Sequence, residues 1–98
     1  MHGHVVAQTA TIFSRKRNHL ATLELIFARP ATGNVKWRDV ESLLRALGAA
    51  LEEAEGSRVT VRLFGEVRVV HRPHPSPDTD QGAVAGMRKW LEINGVTP

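Results

Sequence analysis

The side chains of this sequence that best suit proton transfer near neutral pH are its five histidines. They fall in three places: His2 and His4, His19, and the pair His71 and His74, which flank a proline-containing stretch. Three arginines, Arg58, Arg62 and Arg68, precede that pair, and a fourth, Arg72, lies between its members. Imidazole gains and loses a proton near pH 7, and a guanidinium fork matches phosphate oxygens. Together they could cut RNA without a metal. A histidine would take the proton from a ribose 2′-OH, an acid would protonate the leaving oxygen, and an arginine would hold the developing phosphorane charge. The plainer reading is a packed His71 capping the apolar sheet face, an exposed His74, and a solvated arginine face balanced by Glu52 and Glu53. His2 and His4 are two ligands on a loose terminus and make no metal site by themselves. His19 is given no role.

These groups must be positioned by elements that the spacing predicts. Leu20, Leu23, Ile26 and Phe27 form one apolar stripe, opened by Arg15-Lys16-Arg17 and ended by Pro30 and Gly33, which predicts a helix near 17–28. Trp37, Val40, Leu43, Leu44 and Leu47 form the clearest stripe, with Arg38, Asp39, Glu41, Ser42 and Arg45 on the other side and Gly48 as the stop. Leu51 then falls on a short strand reaching about Glu53. Arg58 to Phe64 alternates strictly, with Val59, Val61 and Leu63 on one side, and Glu66 to Arg72 repeats the pattern. A three-residue loop, Phe64-Gly65-Glu66, sets Leu63 opposite Val67, Val61 opposite Val69 and Val59 opposite His71. In that register Arg58, Arg62, Arg68 and Arg72 share one open sheet face. Pro73, Pro75 and Pro77 make the following stretch an extended connector. Asp78, with Gln81 three residues on, reads as the cap of a last helix carrying Val84, Met87, Trp90 and Leu91 and ended by Gly95. The expected fold class is α+β: a three-stranded antiparallel sheet with helices on one face.

The 98 residues suit a single domain over 15–98, preceded by a loose extension over 1–14. With no cysteine, disulfides, Cys-ligated zinc and thiol catalysis are excluded. Apolar runs are too short for a membrane span or a signal h-region, so a cytoplasmic location is expected. Thirteen Lys+Arg against ten Asp+Glu permit a nucleic-acid partner without demanding one. No P-loop, GxGxxG, HExxH or GxSxG pattern occurs, so nothing points to a bound cofactor.

Several short motifs, in order, resemble a known family. Trp37 through Gly48 is similar to the first helix of HicA-type toxins, which ends in glycine. Glu55-Gly56-Ser57-Arg58 resembles their loop before the second strand, usually Lys/Glu-Gly-Ser-His. Val69-Val70-His71 resembles the end of their third strand, often Pro-Val-His. Asp80-Gln81-Gly82-Ala83-Val84, with Met87, Trp90-Leu91 and Gly95-Val96, resembles their last helix. The similarity covers about 36–97. It implies a double-stranded-RNA-binding-like α-β-β-β-α fold, here with an added N-terminal helix. It also implies a type II toxin, an mRNA interferase working without a bound cofactor and neutralised by a HicB-type antitoxin. The family's catalytic histidine follows the Gly-Ser pair, and this chain has Arg58 there. Arginine stays protonated and cannot serve as a general base. Three readings remain: His71 or His74 carries proton transfer, the chain binds RNA without cutting it, or the charged sheet docks a protein partner alone.

Overall fold

The computed structural model describes residues 17–73 and 76–98. The loose start expected over 1–14, Arg15, Lys16 and His74 lie outside them. Six elements follow in order: α1 (Arg17–Ile26), α2 (Trp37–Ala46), β1 (Ala50–Glu53), β2 (Arg58–Leu63), β3 (Glu66–His71) and α3 (Gln81–Ile93). The three strands form one antiparallel sheet in the order β1-β2-β3. This is the expected α+β class, with a helix before the α-β-β-β-α run.

The core follows from the periodicities. Leu23 and Ile26 of α1, Val40, Leu43 and Leu44 of α2, Val59 and Val61 of β2, and Val84 and Leu91 of α3 are all buried. The β2 side chains alternate between this core and solvent, so the helices cover one sheet face and leave the other open. α2 carries Asp39 in its first turn and Arg45 in its last, the signs its dipole favours. Gly48 follows with φ of 104°, the left-handed stop expected of it.

Two details differ from the sequence reading. The cap of α3 is Asp80, whose carboxylate accepts from the N–H groups of Gly82 and Ala83 at 3.0 and 3.2 Å. Asp78 instead pairs with Lys36 Nζ at 2.6 Å, tying the connector to the start of α2. The larger difference is the hairpin register. Leu63 faces Glu66, Val61 faces Arg68, Val59 faces Val70 and Arg58 faces His71. The loop is therefore the two residues Phe64-Gly65, with φ of 59° and 72°. Two successive positive φ values mark the tight turn whose twist matches the flanking strands. Against the expected register this is a one-residue slip, and it exchanges the two faces of β3.

Trp90 stabilises the exchanged arrangement. Its indole N–H donates to Glu66 Oε1 at 2.6 Å. The Arg68 guanidinium lies 5.0 Å from the ring centre. Phe64 meets the ring edge-on at 5.4 Å and 81°. These contacts let a carboxylate, a guanidinium and a turn residue occupy the helix side, where the alternation had pointed to Val67 and Val69. Those two valines face outward instead, 56% and 58% exposed.

Candidate nucleic-acid interface

The open sheet face is built from alternate residues of β2 and β3. Its cross-strand rows are Arg58 with His71, Thr60 with Val69, and Arg62 with Val67. On the β1 side, Glu52 faces Thr60 and Ala50 faces Arg62. The Arg72 N–H donates to the Ser57 carbonyl at 2.7 Å. Antiparallel pairs alternate, so the next pair, Arg58 and His71, is of the closely spaced kind, with Cα atoms about 4.5 Å apart. Both side chains are exposed. Glu55-Gly56-Ser57 brings the chain round into this row: Gly56 has φ of 66°, and the Ala54 N–H donates to the Arg58 carbonyl at 2.9 Å. That geometry suits a residue without a Cβ.

The charges on this face are unequally engaged. Arg62 Nε lies 3.2 Å from Glu52 Oε1, and both side chains are more than half exposed. Such a pair is worth at most about 1 kcal/mol, so a phosphate can compete for the guanidinium. Arg58 makes no ion pair among the described residues. A guanidinium held beside an imidazole can neutralise an anion while the imidazole exchanges a proton with it.

The four expected arginines do not share this face. Arg68 lies on the helix side over Trp90, 3.7 Å from Glu66 Oε1. Arg72 also turns to the helix side, its Nη1 3.1 Å from Glu53 Oε2 at the end of β1. That hydrogen bond, with the attraction between the two charges, holds the Glu53 carboxyl below the usual carboxylate range and raises the Arg72 guanidinium further. The slip in register is the reason for the division: odd and even positions of β3 changed sides, leaving Arg58 and Arg62 outside and taking Arg68 and Arg72 in. His71 moved the other way. It is exposed on the open face, not packed under the helices.

His19, given no role from the sequence, is buried on α1 with Nε2 2.8 Å from Ser42 Oγ of α2. It docks the added helix on the α-β-β-β-α body. The spacing held a signal for this, since His19, Leu23 and Ile26 step by four and three along one helical face. Among the described residues no group of three or more His, Asp or Glu side chains could hold a metal ion. No described helix is long and apolar enough to cross a membrane.

The family model described as the HicA toxin of bacterial toxin–antitoxin systems matches residues 37–93. The chain belongs to the HicA toxin family. The match begins at the first residue of α2 and ends with the last of α3, so it takes in the whole sheet and leaves α1 outside. It agrees with the span of about 36–97 over which the motifs resembled HicA-type toxins. For this HicA-family chain, the Gly-Ser loop and the end of the third strand meet in the row of Arg58 and His71. No curated protein and no solved structure matches the chain.

Proposed function

We propose that this HicA-family toxin binds mRNA on the open sheet face and cuts it without a metal ion, with His71 as the proton-transfer group and Arg58 beside it. The observation that carries the reading is the Arg58–His71 row. A phosphate bound by the Arg58 guanidinium would bring the neighbouring ribose within reach of the imidazole. His71 takes the proton of the 2′-OH, and the 2′ oxygen forms its bond to phosphorus. The bond to the 5′ oxygen breaks, and that oxygen receives a proton from the imidazolium so formed or from solvent. Arg58 holds the extra negative charge of the five-coordinate phosphorus. Arg62, two rows along, holds a second stretch of the strand. His74 stands as the sequence's further candidate for the donor. A HicB-type antitoxin is the expected neutralising partner, and the cytoplasm the expected place of action.

The arginine at the position where HicA-type toxins usually carry histidine favours one alternative, an RNA-binding domain that no longer cuts. A single assay separates the two. The purified chain is incubated with a long single-stranded RNA in EDTA, beside His71→Ala. Cleavage by the parent alone supports His71 in proton transfer. Equal cleavage by the variant removes His71 from the chemistry. Retarded but intact RNA at low salt leaves the binding reading.

A further inference from the structure

The sheet has two edges of different character. β1 is four residues long and ends in Glu52 and Glu53, both exposed, a charged and short edge of the kind that resists pairing. β3 is six residues long, has no lysine or proline, and presents two exposed valines. Since Arg72 directs its N–H to β2, so do Val70, Arg68 and Glu66, and the backbones of Val67, Val69 and His71 point outward. Among the described residues no backbone hydrogen bond reaches these three. Beside this edge, a groove of about 320 Å³ runs between β3 and α3, lined by Arg68, Val70, His71, Asp80, Gly86 and Met87 among others. A Cβ on Gly86 would meet nothing within 4 Å.

We propose that β3 is the seam of a two-fold dimer, in which a second copy of this chain pairs its own β3 antiparallel about Val69 and the two sheets join into one of six strands.

The strand is self-complementary about that point. The outward backbone groups of Val67, Val69 and His71 lie symmetrically around Val69. Pairing therefore sets Val69 against Val69 of the second copy and Val67 against its His71, and gives each outward N–H and C=O a partner. The two copies of Val69 cover one another, and Val67 of each lies beside His71 of the other. No like charges come directly opposite, because Arg68 of each copy falls opposite Val70 of the other. On the groove side the lining holds Asp80 as well as the receiving copy's own Arg68, so the incoming guanidinium meets a carboxylate that offsets the like charge beside it. A stable interface buries about 1,200 Å² or more in total, beyond what a five-residue strand pairing supplies alone. Filling the groove is therefore part of the association, and the dimer is of the weak, concentration-dependent kind. The two open faces become one surface, with both Arg58–His71 rows on the same face of the joined sheet, one on either side of the seam. This inference rests on the strand edge and the groove, not on the RNA-cutting role of His71.

Two experiments on the full chain test it. Sedimentation velocity over a concentration series should show a monomer–dimer equilibrium. Val69→Lys, at an exposed position, should weaken it about tenfold or more by setting like charges opposite each other. An unchanged thermal melt of that variant confirms that it is folded. The second uses the absence of cysteine in the chain. Val69→Cys places its Cα about 5.5 Å from its counterpart, within the disulfide range. Val67→Cys places the same atoms about 14 Å apart along the strands. With oxidised glutathione, Val69→Cys should cross-link and Val67→Cys should not. A monomer at the highest soluble concentration overturns the proposal and leaves the edge to a strand of another protein. Cross-linking of both variants at one rate, or a dimer untouched by Val69→Lys, overturns it too.

Discussion

Replacing Trp90 by phenylalanine tests the contact that selects the hairpin register. The substitution keeps an aromatic ring in a position only 4% exposed, so most of the burial and the edge-on contact with Phe64 survive. What goes is the 2.6 Å hydrogen bond to Glu66 and part of the attraction for Arg68, since indole is the better cation–π partner. A hydrogen bond to a charged group contributes about 1.5–3 kcal/mol, and the half-exposed Glu66 side chain puts this one at or below the lower end. Adding a few tenths for the cation–π difference, the loss comes to about 1.5 kcal/mol. For a chain of this size that lowers Tm by about 6–12 °C. The assay is denaturant unfolding followed by far-ultraviolet circular dichroism, run as a double-mutant cycle with Glu66→Ala. The pair should show a coupling of about 1 kcal/mol. A coupling below about 0.3 kcal/mol would mean that Trp90 does not hold Glu66 on the helix side, and the account of the register would fall with it.

Other consequences can be read directly. Arg58→Ala and Arg62→Ala should each reduce the dependence of RNA affinity on salt by about 0.7 in log–log slope, while Arg68→Ala on the opposite side should leave the slope unchanged; filter binding across a salt series tests this. Glu53, held below the usual carboxylate range by Arg72, contributes a stabilisation that is present above the ordinary carboxylate pKa. It is lost as pH falls through the lowered one, when Glu53 takes up a proton and the pair with Arg72 breaks. Both partners are exposed enough for salt to screen this, so the acid limb of a melting profile for Glu53→Gln should differ from the parent in low salt and converge with it in high salt. Asp80→Ala removes the cap of α3 and should cost about 1 kcal/mol in the same unfolding assay.

The elements were legible where one period dominates. Trp37, Val40, Leu43 and Leu44 could only be one face of a helix, and Val59, Val61 and Leu63 only one face of a strand. The family was legible from α2, the Gly-Ser loop and α3 taken in order. The sides of β3 were not. In Glu66-Val67-Arg68-Val69-Val70-His71, the alternation of Val67 and Val69 argues for one register. The other is chosen by a tryptophan 24 residues away that accommodates Glu66 and Arg68. Phe64 in a left-handed turn position also hid the two-residue loop, since asparagine or glycine is the usual signal there. The candidate site was thus found as a list, with His71 and Arg58 on it. Its membership by face depended on a long-range contact that local pattern does not encode.

That contact also ties the covered side of the sheet to the open one. The β2–β3 hairpin closes over a two-residue loop, so its pairs are local in the chain and form on the microsecond scale of hairpins. α3 must arrive from farther along before Trp90 can engage, and contacts of longer sequence separation form more slowly. The contacts that α3 makes on the covered side, from Trp90 to Glu66 and Arg68, thereby go with one set of side chains on the opposite face, the row of Arg58 and His71 among them.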